Sequence, residues 1–173
     1  MSPSASDASR PARDDRAADG VAFLLAQIGA HGAWAFGERL QPLGLRPSEA
    51  GVLNRLARSP GESQRELADA LAMHAPRLVA LIDDLETRGL VKRQRDARDR
   101  RNYSISLTAA GRQATRRIAA VARQHEQALT AALDDEERAQ LASLLGRIAE
   151  QQALAPGVHP GFRRLGRRGA NGA

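Results

Sequence analysis

Ser63-Gln64-Arg65-Glu66-Leu67-Ala68-Asp69-Ala70-Leu71-Ala72-Met73-His74-Ala75-Pro76-Arg77-Leu78-Val79-Ala80-Leu81-Ile82-Asp83-Asp84-Leu85-Glu86-Thr87-Arg88-Gly89 contains two helices and a tight break. Ser63 and Glu66 form a capping box, each side chain satisfying a free amide at the helix start, which predicts a short helix to about Ala72. Met73-His74-Ala75 supplies the break, and Pro76 suits a first helical position. Leu78, Leu81, Ile82 and Leu85 then share one apolar helical face, and Gly89 ends the helix. Two short helices joined this tightly predict a helix-turn-helix.

C-terminal to Gly89 the apolar period falls from 3.6 to 2. Leu90 and Val91 lead into one strand, Tyr103, Ile105 and Leu107 alternate in a second, and Asp96 to Arg101 form the turn. From Arg88 to Arg101 there are seven bases against two acids, so the hairpin is strongly basic. A basic hairpin after a helix-turn-helix predicts a winged helix, whose second helix enters a major groove while the wing touches backbone or minor groove. Thr108 caps a long helix with a stripe of Ala114, Ile118, Val121, His125 and Ala128. Asp134 and Glu137 open a last helix carrying Leu141, Leu144, Leu145 and Ile148.

Toward the N-terminus, Pro47 opens a helix that turns Val52, Leu53 and Leu56 inward and ends at Ser59-Pro60-Gly61. Before it, Leu25, Ile28, Gly32, Phe36 and Leu40 repeat at helical spacing from about Val21 to Gln41, where Pro42 and Gly44 stop the helix. Residues 1–19 lack apolar periodicity, and 156–173 are Gly-rich with Arg163, Arg164, Arg167 and Arg168, so both read as mobile tails, the second basic. The expected fold is mainly α with a small β-hairpin, a winged helix-turn-helix with long dimerisation helices.

At 173 residues the chain suits one domain with tails. Its net charge of +6 favours a polyanionic partner, and Lys92 is its single lysine. No cysteine is present, which excludes disulfides, thiol nucleophiles and cysteine-ligated metals. His31, His74, His125 and His159 show no paired metal spacing, and Asp134 to Glu137 complement a helix dipole rather than a cation. Without a phosphate loop, dinucleotide fingerprint or nucleophile elbow, neither a cofactor nor an enzyme is expected. No apolar run suits a membrane span, so a cytoplasmic protein without membrane contact is expected.

Ser63 to Ala68, Leu81 to Val91, Asp99-Arg100-Arg101 and Leu107-Thr108-Ala109-Ala110-Gly111-Arg112 together resemble the MarR family of bacterial transcription regulators over roughly residues 21–150. The resemblance implies one domain over 20–155, with a DNA-binding lobe at about 47–108 and dimerisation helices at about 21–41 and 109–155. It implies a homodimer that binds double-stranded DNA at a pseudo-palindromic operator, acting as a repressor released by a small aromatic or anionic effector. Arg77, Ala80, Thr87, Arg95, Arg98, Arg100 and Arg101 would face DNA, and Asp83 and Asp99 would position the wing, Asp83 through Arg101. His31, Trp34 and Arg46 would line the effector site; the alternative, the commoner one for an aromatic on a helix, is that Trp34 packs at the dimer interface and His31 is an ordinary polar neighbour. The recognition helix departs from the common pattern, because Ala80 stands where a basic residue is usual and Asp84 opposes phosphate. Shape and wing contacts are therefore expected to outweigh direct base readout. A winged-helix protein-interaction module without operator binding is the alternative reading.

Overall fold

A computed structural model of the chain describes residues 20–95, 103–155 and 157. The expected tails at 1–19 and 156–173, Gly157 apart, and the wing turn with Arg98, Asp99, Arg100 and Arg101 lie outside these residues. The elements are α1 (Val21–Leu40), a 3-10 turn (Gln41–Leu43), α2 (Pro47–Arg58), α3 (Gln64–Ala70), α4 (Ala75–Thr87), β1 (Val91–Arg95), β2 (Tyr103–Leu107), α5 (Ala109–Leu129) and α6 (Asp135–Gln151). The fold is mainly helical with one antiparallel hairpin, as the periodicities predict.

The chain divides into two units, residues 1–35 and 36–173. In the first, α1 leaves Leu25 and Ile28 exposed along with Val21, Phe23 and Leu24. In the second, Leu53, Leu56, Leu67, Leu78, Ile82, Leu85, Ile105 and Ile118 are fully buried in one core. Each such side chain contributes about 1.5–3 kcal/mol on leaving water. The inward faces expected for α2 and α4 are the buried ones. Along α5 the stripe is shorter than expected, since Ile118 is buried and Ala128 is exposed. The apolar residues of α6 find no cover among the described residues, leaving Leu141, Leu144, Leu145 and Ile148 exposed.

Capping sets the helix starts. Ser63 Oγ accepts the Glu66 amide at 3.2 Å while Glu66 Oε2 accepts the Ser63 amide at 2.8 Å. Asp134 and Glu137 repeat this arrangement at α6, and Thr108 Oγ1 accepts the Gly111 amide at 3.0 Å at α5. Two boundaries differ from expectation. Helix α3 stops at Ala70, because Ala72 adopts φ 48° and the Met73 amide turns back to the Ala68 carbonyl at 2.9 Å. Helix α4 opens at Ala75 with His74 as its cap, so Pro76 takes the second helical position, where a missing amide still costs no helix bond.

In the hairpin, Val91 pairs with Leu107, Arg93 with Ile105 and Arg95 with Tyr103. Strand β2 also bonds the loop before α3: the Ile105 amide donates to the Glu62 carbonyl at 2.9 Å and Ser63 bridges Ser104. Arg55 pairs with Glu62 and ties that loop to α2. The wing root is thus fixed to the helix-turn-helix by backbone and by charge.

Candidate nucleic-acid interface

Burial of Leu78, Leu81, Ile82 and Leu85 on one side of α4 leaves Pro76, Arg77, Val79, Ala80, Asp83, Asp84 and Thr87 exposed on the other. Arg77, Ala80 and Thr87, assigned to DNA from sequence, therefore share the outward side. Thr87 Oγ1 donates back to the Asp83 carbonyl at 2.8 Å, which occupies its proton and leaves its lone pairs. Arg95 is exposed at the end of β1, opposite the half-exposed ring of Tyr103.

Asp83 holds the wing through an unexpected residue. Arg93 Nη2 donates to Asp83 Oδ1 at 2.5 Å, its Nη1 meets Glu86, and its amide donates to Glu86 Oε1 at 2.9 Å. Burial alone would lower the Arg93 pKa, but its hydrogen bonds to Asp83 and Glu86 and the charges of those carboxylates outweigh it and raise it above the ordinary arginine value. The sequence reading gave Asp83 to Arg101, which lies outside the described residues. Neither Arg93 nor Glu86 was singled out. The available signal was a helical acid seven residues before a basic strand position whose side alternates toward α4.

Arg88, counted with the basic wing from sequence, instead turns back into the protein. Its Nη2 donates to the Gly44 carbonyl at 2.7 Å, and its Nη1 lies 3.1 Å from Asp84 Oδ2 and 3.4 Å from Glu49 Oε2. Asp84 therefore does not stand as a bare acid facing phosphate. Glu49 is 1% exposed and is, among the described residues, the buried charged one. It also holds Arg46, whose amide reaches Glu49 Oε2 at 2.8 Å and whose Nε reaches Oε1 at 2.7 Å. That hydrogen bond first, and the Glu49 charge second, raise the Arg46 pKa. Arg46, expected to receive an effector carboxylate, already has one from its own chain.

In the first unit, His31 and Trp34 stand together, with ring centroids 5.9 Å apart and planes tilted by 43°. Trp34 is 64% exposed. In the second unit Phe36 meets His125 at 5.4 Å. Among the described residues no three His, Asp or Glu side chains converge as a metal site, and no helix is long and apolar enough to cross a membrane.

The MarR family profile matches residues 43–102, which run from the turn after α1 through the wing. A protein of Thauera aromatica described as a candidate transcriptional regulator for the hcr operon is 35% identical over 113 residues, covering 65% of this chain and 68% of that one. The transcriptional repressor CouR, solved bound to a 23-mer DNA duplex, superposes with a TM-score of 0.69 at 32% identity, covering 81% of this chain and 99% of that one. Apo wild-type MarR from E. coli shares the fold at a TM-score of 0.67 and 24% identity, over 75% of this chain and 96% of that one. Helix-turn-helix, basic wing and these likenesses agree: the chain belongs to the MarR family of winged-helix transcription regulators, which are not enzymes.

Proposed function

We propose that the chain works as a homodimeric, sequence-specific DNA-binding repressor that a small aromatic or anionic ligand releases. The observation that carries the DNA reading is the outward side of α4 joined to a basic wing through Arg93. CouR, bound to its duplex, supports the same use of this fold. With Ala80 and Val79 at the centre of the exposed side and Arg77 as its long donor, base reading rests on few polar contacts. Val79, 41% exposed, suits contact with a thymine methyl. Arg95, Arg98 and Arg100 supply phosphate or minor-groove contacts, and Arg101 and Asp99 steady the wing turn.

Dimerisation is supported by the uncovered leucines of α6 and the uncovered apolar residues of α1, since exposed apolar faces of this extent mark association surfaces. Two lobes related by a two-fold axis would meet half-sites about one helical turn apart. For the ligand, the exposed His31–Trp34 pair offers an aromatic surface beside a donor.

The test is a gel shift on DNA flanking the chain's own gene, with competitor DNA and with phenolic acids added. Retarded, competitor-resistant complexes that phenolic acids dissolve, alongside quenching of Trp34, support the reading. Absence of any specific shift supports a protein-interaction module instead.

A further inference from the structure

Helix α6 ends in a closed turn, with the Leu154 amide donating to the Ala149 carbonyl at 2.9 Å and the Ala153 amide to the Glu150 carbonyl at 2.9 Å. Ala153 takes φ 50°, a left-handed conformation that glycine usually fills, so the exit from α6 is held against the preference of its own residue. The chain then reaches Gly157, at φ 71°, where an added Cβ would stand 3.2 Å from Arg58 Nη1 at the end of α2. Arg58 is exposed and meets no carboxylate among the described residues, and Glu62, the next acid after it in sequence, is already held by Arg55. Beyond Gly157 the sequence carries Arg163, Arg164, Arg167 and Arg168 and no acid.

The end of α2 stands beside the root of the wing, because the Gly61 amide donates to the Ile105 carbonyl at 3.3 Å. From there the five residues of β2 cover roughly 17 Å toward the wing turn. Arg163 lies six residues past Gly157 and Arg168 eleven. A chain spans at most about 3.3–3.6 Å per residue, so their reach from the root is roughly 20 Å and 37 Å, enough to meet the DNA backbone that the wing meets. The positive charge of Arg58, with no free acid beside it, gives these arginines no partner to fold back upon at the root. We propose that Arg163, Arg164, Arg167 and Arg168, rooted beside the wing at Arg58, form a second phosphate-binding arm that carries each protomer's contact with duplex DNA beyond α4 and the wing. Forked guanidinium donors match phosphate oxygens, and each phosphate they neutralise releases counterions. The arm rests on the DNA-binding reading and adds to it a contact that α4 and the wing do not supply.

The full-length protein is titrated against a labelled mixed-sequence duplex of about 40 base pairs by fluorescence anisotropy at several salt concentrations, where phosphate contacts govern the affinity. Arg163→Gln, Arg164→Gln, Arg167→Gln and Arg168→Gln made together should weaken binding at least tenfold at about 0.1 M salt. They should also flatten the slope of log affinity against log salt by at least about 2, since each contact contributes about 0.9 and a dimer carries the segment twice. The melting curve should not move. Arg58→Glu, which sets an acid at the root, should weaken binding severalfold in the wild-type chain and little in the four-glutamine chain. A slope that responds to Arg100→Ala but shifts by under about 1 with the four glutamines overturns the arm and leaves the DNA-binding reading intact. An Arg58→Glu effect of equal size in both chains overturns the root. Failure of the wild-type chain to bind the duplex at any salt concentration overturns the arm and the DNA-binding reading together.

Discussion

Arg93 Nη2 lies 2.5 Å from Asp83 Oδ1, and this pair links the first strand of the wing to the outward side of the recognition helix. Glu86 holds the same guanidinium from one turn further along α4. One side chain with two acidic anchors thus adds to the backbone bonds that hold the wing against the helices. Arg93→Ala should lower DNA affinity about five- to tenfold, near 1 kcal/mol, with little change in melting temperature. Asp83→Ala should cost less, because Glu86 remains. A double-mutant cycle followed by fluorescence anisotropy checks the coupling, and additive losses would mean that the two residues act separately.

Gly111 is required by space. A Cβ there would lie 2.0 Å from the Leu90 carbonyl oxygen and 3.0 Å from its carbon. Thr108 anchors the same carbonyl through its amide at 3.1 Å, so the backbone has little freedom to withdraw. Gly111→Ala should destabilise the protein by about 2–3 kcal/mol, seen as a lower urea midpoint with unchanged slope.

Glu49 joins Arg46 and Arg88 from a buried position, so removing its charge leaves two guanidinium groups short of a partner. Glu49→Gln should cost about 3 kcal/mol by chemical unfolding. Asp135→Asn, at a fully exposed carboxylate on α6, should leave the midpoint where it is. Equal effects from both would refute the special place given to Glu49.

The capping boxes at Ser63 and Asp134, the threonine cap at Thr108 and the buried faces of α2 and α4 were legible because each depends on residues within one or two turns. Asp83 to Arg93 and Glu49 to Arg88 were not. The first requires the path of the chain through Gly89 into β1, and the second spans 39 residues between the starts and ends of different helices. Charge counting along the chain included Arg88 and Arg93 in the basic run of the wing, whereas folding turns both toward carboxylates. Of the four described bases in that stretch, Arg88, Lys92, Arg93 and Arg95, two are therefore paired inside the lobe.

That pairing changes what salt should do. Each phosphate contact contributes about 0.9 to the slope of log affinity against log salt, so a dimer that loses one contact per protomer loses roughly 2 units. Arg95→Ala and Arg100→Ala should each flatten the slope by about that amount. Arg88→Ala should lower stability and leave the slope nearly unchanged. Anisotropy titrations at four salt concentrations distinguish these outcomes.

Leu144 is 45% exposed within the uncovered stripe of α6. If that stripe meets a second copy, Leu144→Glu buries a charge without a partner and should shift micromolar protein from dimer to monomer in sedimentation. An unchanged dimer would assign the stripe of α6 to solvent and leave α1 as the remaining association surface.

The close approach of Gly111 to Leu90 gives α5 the properties of a lever. Its 21 residues make a rod about 31 Å long. One end is joined to the root of the wing by Thr108 and by the packing that only glycine permits. A tilt of about 5° along a rod of that length displaces an end by roughly 2.7 Å, close to one hydrogen-bond length. An angular change too small to disturb the helix is therefore large enough, by arithmetic alone, to decide whether an arginine on the wing meets a phosphate.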